Sequence, residues 1–359
     1  MMNYVQKLKK LFLYAGIEKE EYDGLRTCIY EENRILLKVF SQLAAVMFFL
    51  LYFASIVTGG FAAANTSTYL FCAAEMTVIL LSAHLILPKH PSIVMMFVYI
   101  FEILLYAFGI HISMLHADMP AVSAVAFLLV TPLLFYDKPL RVSALIAIAV
   151  TVFCLIVIRF KQPAIAINDF WNSITFGIVA IVTAVFVMSI KIRALLQSKQ
   201  IEYLSQTDLL TGLKNRNHYE TQLQTYPSLC QSNLICIYAD VNGLHEMNNV
   251  HGHAAGDRML KEAAAELRSH FGEDHTYRIG GDEFVAFRPD GAMEQTLSEL
   301  EATRNALSRS GYIVSFGIAE DDKTDGLIQM SELVRNAENR MFADKQNYYR
   351  QSGNDRRRR

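Results

Sequence analysis

None of the five cysteines (Cys28, Cys72, Cys154, Cys230, Cys236) stands in a C-x-x-C pair, so neither a zinc site nor a disulfide framework is indicated. Charge is scarce too: 19% of the 359 residues are charged against 52% hydrophobic, a balance unusual for a soluble protein. The net charge of −2 gives no support to a nucleic-acid partner. No clear internal repeat marks the chain, which argues against a transporter built from symmetric halves. The first 38 residues are charged and lack the n-region, h-region and cleavage pattern of a secretory signal, so none is expected there.

What is present divides into two materials. Before residue 192 the chain is dominated by apolar residues, and runs of about 20 of them read as membrane-spanning helices. Six are predicted, at roughly 39–58, 69–87, 93–115, 119–136, 142–158 and 171–190, with the lipid bilayer as partner. The basic residues Lys7, Lys9, Lys10, Lys19, Arg26, Arg34 and Lys38 precede the first run, and Lys89, Lys138 and Arg141 fall after the second and fourth. By the positive-inside rule these segments face the cytoplasm, as do both chain ends. Arg159 and Lys161, between runs five and six, break the pattern. Glu75, His84 and Glu102 lie within predicted spans, where ionisable groups either sense a ligand or pair inside the bundle. His111 and His116 read as interfacial rather than as cofactor ligands. Ile192, Leu195, Leu196, Ile201 and Leu204 form a partial stripe over 191–206, either a short parallel coiled coil or a solvated linker helix. The terminal Asn354-Asp355-Arg356-Arg357-Arg358-Arg359 reads as a solvated tail.

After residue 206 the composition turns to that of a soluble domain. In Thr276-Tyr-Arg-Ile-Gly280-Gly281-Asp282-Glu283-Phe284-Val-Ala-Phe, two β-type segments flank a Gly-Gly turn that displays two carboxylates. Upstream, Asn233–Asp240 reads as a buried strand ending in an acid, which is costly without a partner. If strand and hairpin are neighbours, Asp240, Asp282 and Glu283 supply what Mg²⁺ (or Mn²⁺) takes when it also binds phosphate oxygens. Two such ions could together stabilise the attacking and leaving oxygens of a displacement at phosphorus.

Four motifs stand in order: Asp208-Leu-Leu-Thr-Gly-Leu-Lys-Asn-Arg216, Asp240 through Asn248, Gly252-His-Ala-Ala-Gly-Asp257 and Arg278-Ile-Gly-Gly-Asp-Glu-Phe284. A fifth, Asn336-Ala-Glu-Asn-Arg-Met-Phe-Ala-Asp-Lys345, follows. Through them, residues 205 to 350 resemble the GGDEF family of diguanylate cyclases. The resemblance implies a palm-like, adenylyl-cyclase-like α/β domain that condenses two GTP molecules into cyclic di-GMP as a homodimer. It implies that Asp240, the Val241 carbonyl, Asp282 and Glu283 bind metal and that one hairpin acid acts as general base. It places Asn248 and Asp257 on guanine, Gly243 and Leu244 amides on phosphate, and Lys345 on phosphate. A carboxylate suits guanine because it can accept from both N1 and the exocyclic amine. Taken alone, Asn248 would be a helix-terminal cap and Asp257 the N-cap of the next helix.

Three departures accompany the matches. His245 stands where many members carry lysine, and Tyr349 where a phosphate-binding arginine is frequent. Phe271-Gly-Glu-Asp274 keeps the aspartate of an Arg-x-x-Asp product-inhibition site but not the arginine, so no inhibition through that site is expected. The expected organisation is an amino-terminal cytoplasmic segment (1–38), a six-span sensor bundle (39–190), a linker helix (191–206), the GGDEF domain (207–350) and a basic tail (351–359). The expected function is a cyclase in the cytoplasmic membrane. Its alternative is a GTP-binding signalling module with little turnover.

Overall fold

The computed structural model describes residues 2–58, 65–115, 117–323 and 327–351. The chain forms two compact units, residues 1–198 and 199–359. His116 and the terminal arginines lie outside the described residues.

The first unit is helical: α1 (Met2–Tyr14), α2 (Lys19–Gly24), α3 (Arg26–Thr58), α4 (Thr66–Leu85), α5 (Val94–Leu115), α6 (Val122–Val130), α7 (Pro139–Phe160) and α8 (Pro163–Gln206). Among the described residues, five helices, α3, α4, α5, α7 and α8, are long and apolar enough to cross a membrane. The fourth expected run, 119–136, differs. It forms only the short α6 and a 3-10 turn over Thr131–Leu133, because Pro132 interrupts the helical hydrogen bonding. The segment nevertheless runs antiparallel to α5. The Ala124 amide donates to Ser113 Oγ, Phe127 packs on Gly109 and Phe108, Phe135 meets Phe101, and Tyr99 donates to Asp137 at 2.6 Å. Moving from Ala124 to Asp137 thus descends from Ser113 to Tyr99, roughly 20 Å of helix at its usual rise. The non-helical backbone left by the break is satisfied from inside the bundle: Lys191 Nζ donates to the Leu133 carbonyl (2.8 Å), and Asn33 exchanges two bonds with Tyr136 (2.7 and 2.8 Å). Buried backbone of this kind is tolerated only where protein supplies the partners.

Other expectations change in detail. The first long helix begins at Arg26 rather than near 39, and 191–206 is the C-terminal part of α8 rather than a separate element. The stripe predicted along it is split: Ile192, Leu195 and Leu196 pack into the first unit's core, while Ile201 and Leu204 remain exposed. Glu102 is buried on α5 and Glu75 half-buried on α4. His84 is exposed and turns Nδ1 toward its own helix at the Leu80 carbonyl.

Lys161, one of the two residues that break the charge pattern, is fully buried. Its ammonium donates to Asp169 and to the Met119 carbonyl, both at 2.7 Å, and the other Asp169 oxygen accepts from the Ala121 amide at 3.0 Å. The cation is neutralised inside the protein and no longer counts as a loop charge. Removing one partner of a buried pair strands the other. Lys161→Met is therefore expected to destabilise the bundle by about 3–5 kcal/mol, read as the unfolding midpoint of the full chain in detergent, with part of the loss recovered in Lys161→Met/Asp169→Leu.

The second unit contains β1 (Lys214–Asn215), α9 (Arg216–Gln222), α10 (Tyr226–Leu229), β2 (Asn233–Asn242), α11 (Leu244–His251), α12 (His253–Phe271), β3 (Thr276–Arg278), β4 (Glu283–Pro289), α13 (Met293–Arg309), β5 (Ile313–Asp322) and α14 (Met330–Gln351). The sheet order is β1-β3-β4-β2-β5, with β1 and β3 parallel and the remaining pairs antiparallel. Side chains alternate across a strand, so the central β2 sends Ile235, Ile237, Ala239 and Val241 to one face. They meet Met259, Ala263 and Leu267 of α12 and Leu300 and Leu307 of α13. Leu234, Cys236 and Tyr238 go to the other face, against Tyr219, Tyr226, Leu333, Ala337 and Met341. Asp240 follows this second parity and is carried to the α14 side.

Candidate active site

Asp240 is not the last residue of its strand, because β5 continues pairing through Val241 and Asn242. It lies directly opposite Glu283 in the β2–β4 register. Facing residues of an antiparallel pair project to the same side. The hairpin is bound to β2 by the Val241 amide donating to the Asp282 carbonyl at 2.9 Å. Arg278 braces it from behind, donating to Asp208 (3.0 Å) and to the Gly281 carbonyl (2.7 Å). Burial alone would raise the Asp208 pKa, but its bonds from Thr211 and Arg278 outweigh that and hold it below the usual carboxylate range. Asp208 and Arg278 stand within the sequence motifs, but their bracing of the hairpin is visible only in the fold.

Lys345 of α14 donates to both Asp240 oxygens at 2.6 Å. Asp240 is buried, and burial raises its pKa against the opposing effect of Lys345, with the Asp282 charge adding to the rise. Glu283 is likewise raised, first by burial and then by the charges of Asp240 and Asp282. Among the described residues no three Asp, Glu, His or Cys side chains form a preformed metal cage. What the fold provides is a pair of facing carboxylates with a third acid beside them, the donor set Mg²⁺ takes when phosphates and water complete its shell. The residues fit a phosphate-bound divalent ion.

The two residues expected on guanine, Asn248 and Asp257, are carried by α11 and α12. Gly243 adopts φ +75° and starts α11, placing Leu244 in its first turn. α12 begins at His253 after Gly252, so Asp257 lies a turn inside the helix and is not its N-cap. Asn248 is interior to α11 and is not a cap either. Its Oδ1 is buried without a hydrogen-bond partner, over Gly256. A Cβ at Gly256 would sit 2.0 Å from that oxygen. Gly256→Ala is accordingly expected to displace Asn248 and to weaken GTP binding at least tenfold, on the scale of a lost polar contact, by calorimetry with a non-hydrolysable analogue. The domain should still fold, since the obstruction is a side-chain end.

The departures also have positions. His245 is exposed, with Nε2 3.1 Å from Asn249 Nδ2 of the same helix. Tyr349 pairs edge-to-face with Tyr348. Phe271, where an Arg-x-x-Asp arginine would stand, is buried in the domain core.

A model described as diguanylate cyclase, GGDEF domain, matches residues 205–351. Residues 205–351 belong to the GGDEF family. Among its relatives, the diguanylate cyclase DgcS of Shewanella oneidensis is 28% identical over 42% of this chain and 53% of its own length. The response regulator PleD of Caulobacter vibrioides is 34% identical over 32% of this chain and 26% of its length. The chain thus spans about half of the first and a quarter of the second. A solved coiled coil and GGDEF domain of DgcB from Caulobacter crescentus, in complex with c-di-GMP, is 22% identical, covering 43% of this chain and 88% of that one at a TM-score of 0.40. The GGDEF domain is preceded by a helical region that is consistent with a sensor half.

Proposed function

We propose that this protein is a membrane-embedded diguanylate cyclase that joins two GTP molecules into cyclic di-GMP with release of pyrophosphate. The observation that carries the reading is the register pairing of Asp240 with Glu283, with Lys345 of α14 drawn to the same point on that face of the sheet. Asp240, Glu283 and Asp282, with the Val241 carbonyl, would hold Mg²⁺ or Mn²⁺, which when bound neutralises triphosphate charge and polarises the α-phosphate. A hairpin carboxylate whose pKa is raised is suited to accept the proton of the attacking 3′-hydroxyl. Asn248 Oδ1 and Asp257 would accept from the guanine amine and N1, and Lys345 would transfer from Asp240 to phosphate as substrate arrives. The Gly243 and Leu244 amides would add phosphate contacts at the start of α11. Each domain would hold one GTP, so the product requires two copies of the chain.

The amino-terminal unit is proposed to lie in the cytoplasmic membrane with the GGDEF domain in the cytoplasm. Support comes from five helices of spanning length, from the return of 122–137 alongside α5, which keeps an even number of crossings, and from the neutralised Lys161. Phe271 supports the absence of inhibition through an Arg-x-x-Asp site. The second reading, a GTP-binding module with little turnover, is favoured by His245 and Tyr349. The discriminating experiment incubates the full chain in nanodiscs with GTP and Mg²⁺ and analyses products, beside Asp257→Ala. Cyclic di-GMP from the parent supports the cyclase, whereas bound but unconverted GTP supports the module.

A further inference from the structure

We propose that the groove between α1 and α8 binds an anionic phospholipid, with an acyl chain along the groove and the phosphate at its basic end. The inference rests on the reading that α8 crosses the bilayer. In α1 the residues Tyr4, Val5, Leu8, Leu11 and Phe12 recur at helical spacing on one face. Leu11 and Phe12 line a groove of about 440 Å³ together with Val185, Phe186 and Arg193 of α8. The other end of the stripe runs on uncovered: Tyr4 and Val5 are 68% and 63% exposed, as is Phe186 at 66%. A continuous apolar strip of this kind is unfavourable in water and favourable against hydrocarbon.

The charges select the headgroup. Lys7 and Lys9 flank the stripe, and Arg193 closes the end of the groove. Arg193 lies over Gly16, where an added Cβ would come within 2.7 Å of Nη2, so the glycine leaves room for the guanidinium at this place. Nearby acids are engaged locally: Glu18 pairs with Lys10, and Glu21 accepts from the Glu18 amide. Lys7, Lys9 and Arg193 have no carboxylate partner among the described residues. An apolar channel closed at one end by Arg193 of α8, with Lys7 and Lys9 carried on α1, matches a molecule with a long hydrocarbon and a net negative phosphate. A soluble anion would leave the channel unfilled, and a zwitterionic lipid would gain little from the cations.

The test is native mass spectrometry of the full chain in detergent with equal amounts of phosphatidylglycerol and phosphatidylcholine. Phosphatidylglycerol adducts should exceed phosphatidylcholine adducts about tenfold or more, as three basic groups near a surface imply. Lys7→Glu/Lys9→Glu/Arg193→Glu should bring the ratio near one, and Val185→Trp, which fills the groove while keeping the charges, should remove both adducts. Equal retention by the parent, or an unchanged preference in the charge variant, overturns the proposal. Carbonate extraction run in parallel separates the two readings: release from the membrane overturns spanning itself, whereas an integral chain without lipid preference overturns only the groove.

Discussion

Glu283→Gln is expected to lower cyclic di-GMP formation by on the order of 10²- to 10³-fold or more, the scale of removing one preorganised charge-stabilising group, without unfolding the protein. The substitution keeps the shape of the side chain and deletes one of the two facing carboxylates. A metal site reduced to Asp240 and Asp282 should also bind Mn²⁺ more weakly, which titration of the nucleotide-free chain would show. The stability effect has the opposite sign. Burial and the charges of Asp240 and Asp282 disfavour the ionised Glu283 in the folded state, so a neutral residue there relieves repulsion. The melting temperature of Glu283→Gln should equal or exceed the parent's while activity collapses. Lys345→Met should instead lower the melting temperature, because it leaves the buried Asp240 without its counter-charge. A Glu283→Gln variant that retained full synthesis would remove Glu283 from the proposed chemistry.

Gly317→Ala should be the most disruptive single methyl group in the GGDEF domain. Gly317 lies in β5 where α14 crosses it, and an added Cβ would come to 2.0 Å from the Ala337 carbonyl oxygen and 2.2 Å from the Met341 amide nitrogen. These are backbone atoms, so no rotamer change relieves the clash, and helix and sheet must separate. Overpacking of this kind costs about 1–3 kcal/mol and occasionally more. Met341 is one helical turn before Lys345, so the displacement should also carry the ammonium away from Asp240. Urea unfolding of the 199–359 unit would report the first effect as a lowered midpoint, and GTP titration the second as weakened binding. An unchanged midpoint would show that α14 moves without cost.

Much of the GGDEF domain was legible in the linear chain because its determinants are local. The Gly-Gly hairpin with its two acids, the β-type run to Asp240 and the order of the motifs follow from turn chemistry and residue spacing. Gly317 did not stand out in the linear chain, and its close approach to α14 emerged only from the packing. Other features had no local signal. Asp257 and Asn248 read in isolation as helix caps, and only the observed helix limits put them inside helices around an unpartnered amide oxygen. Phe271 lacks the arginine's chemistry in sequence, but its burial in the core emerged only from the packing.

By itself, then, the sequence determined two materials, a helical apolar half and an α/β domain carrying acids in the GGDEF order, since hydropathy and turn preference depend on near neighbours. Tertiary structure decided what depends on distant partners. It paired Asp240 with Glu283, brought Lys345 onto Asp240, shortened the fourth apolar run at Pro132 while supplying its freed backbone from Asn33 and Lys191, and buried Lys161 against Asp169. An apolar run reports only its transfer preference, whereas helix breaks and buried charges are tolerated according to the groups that packing brings to meet them.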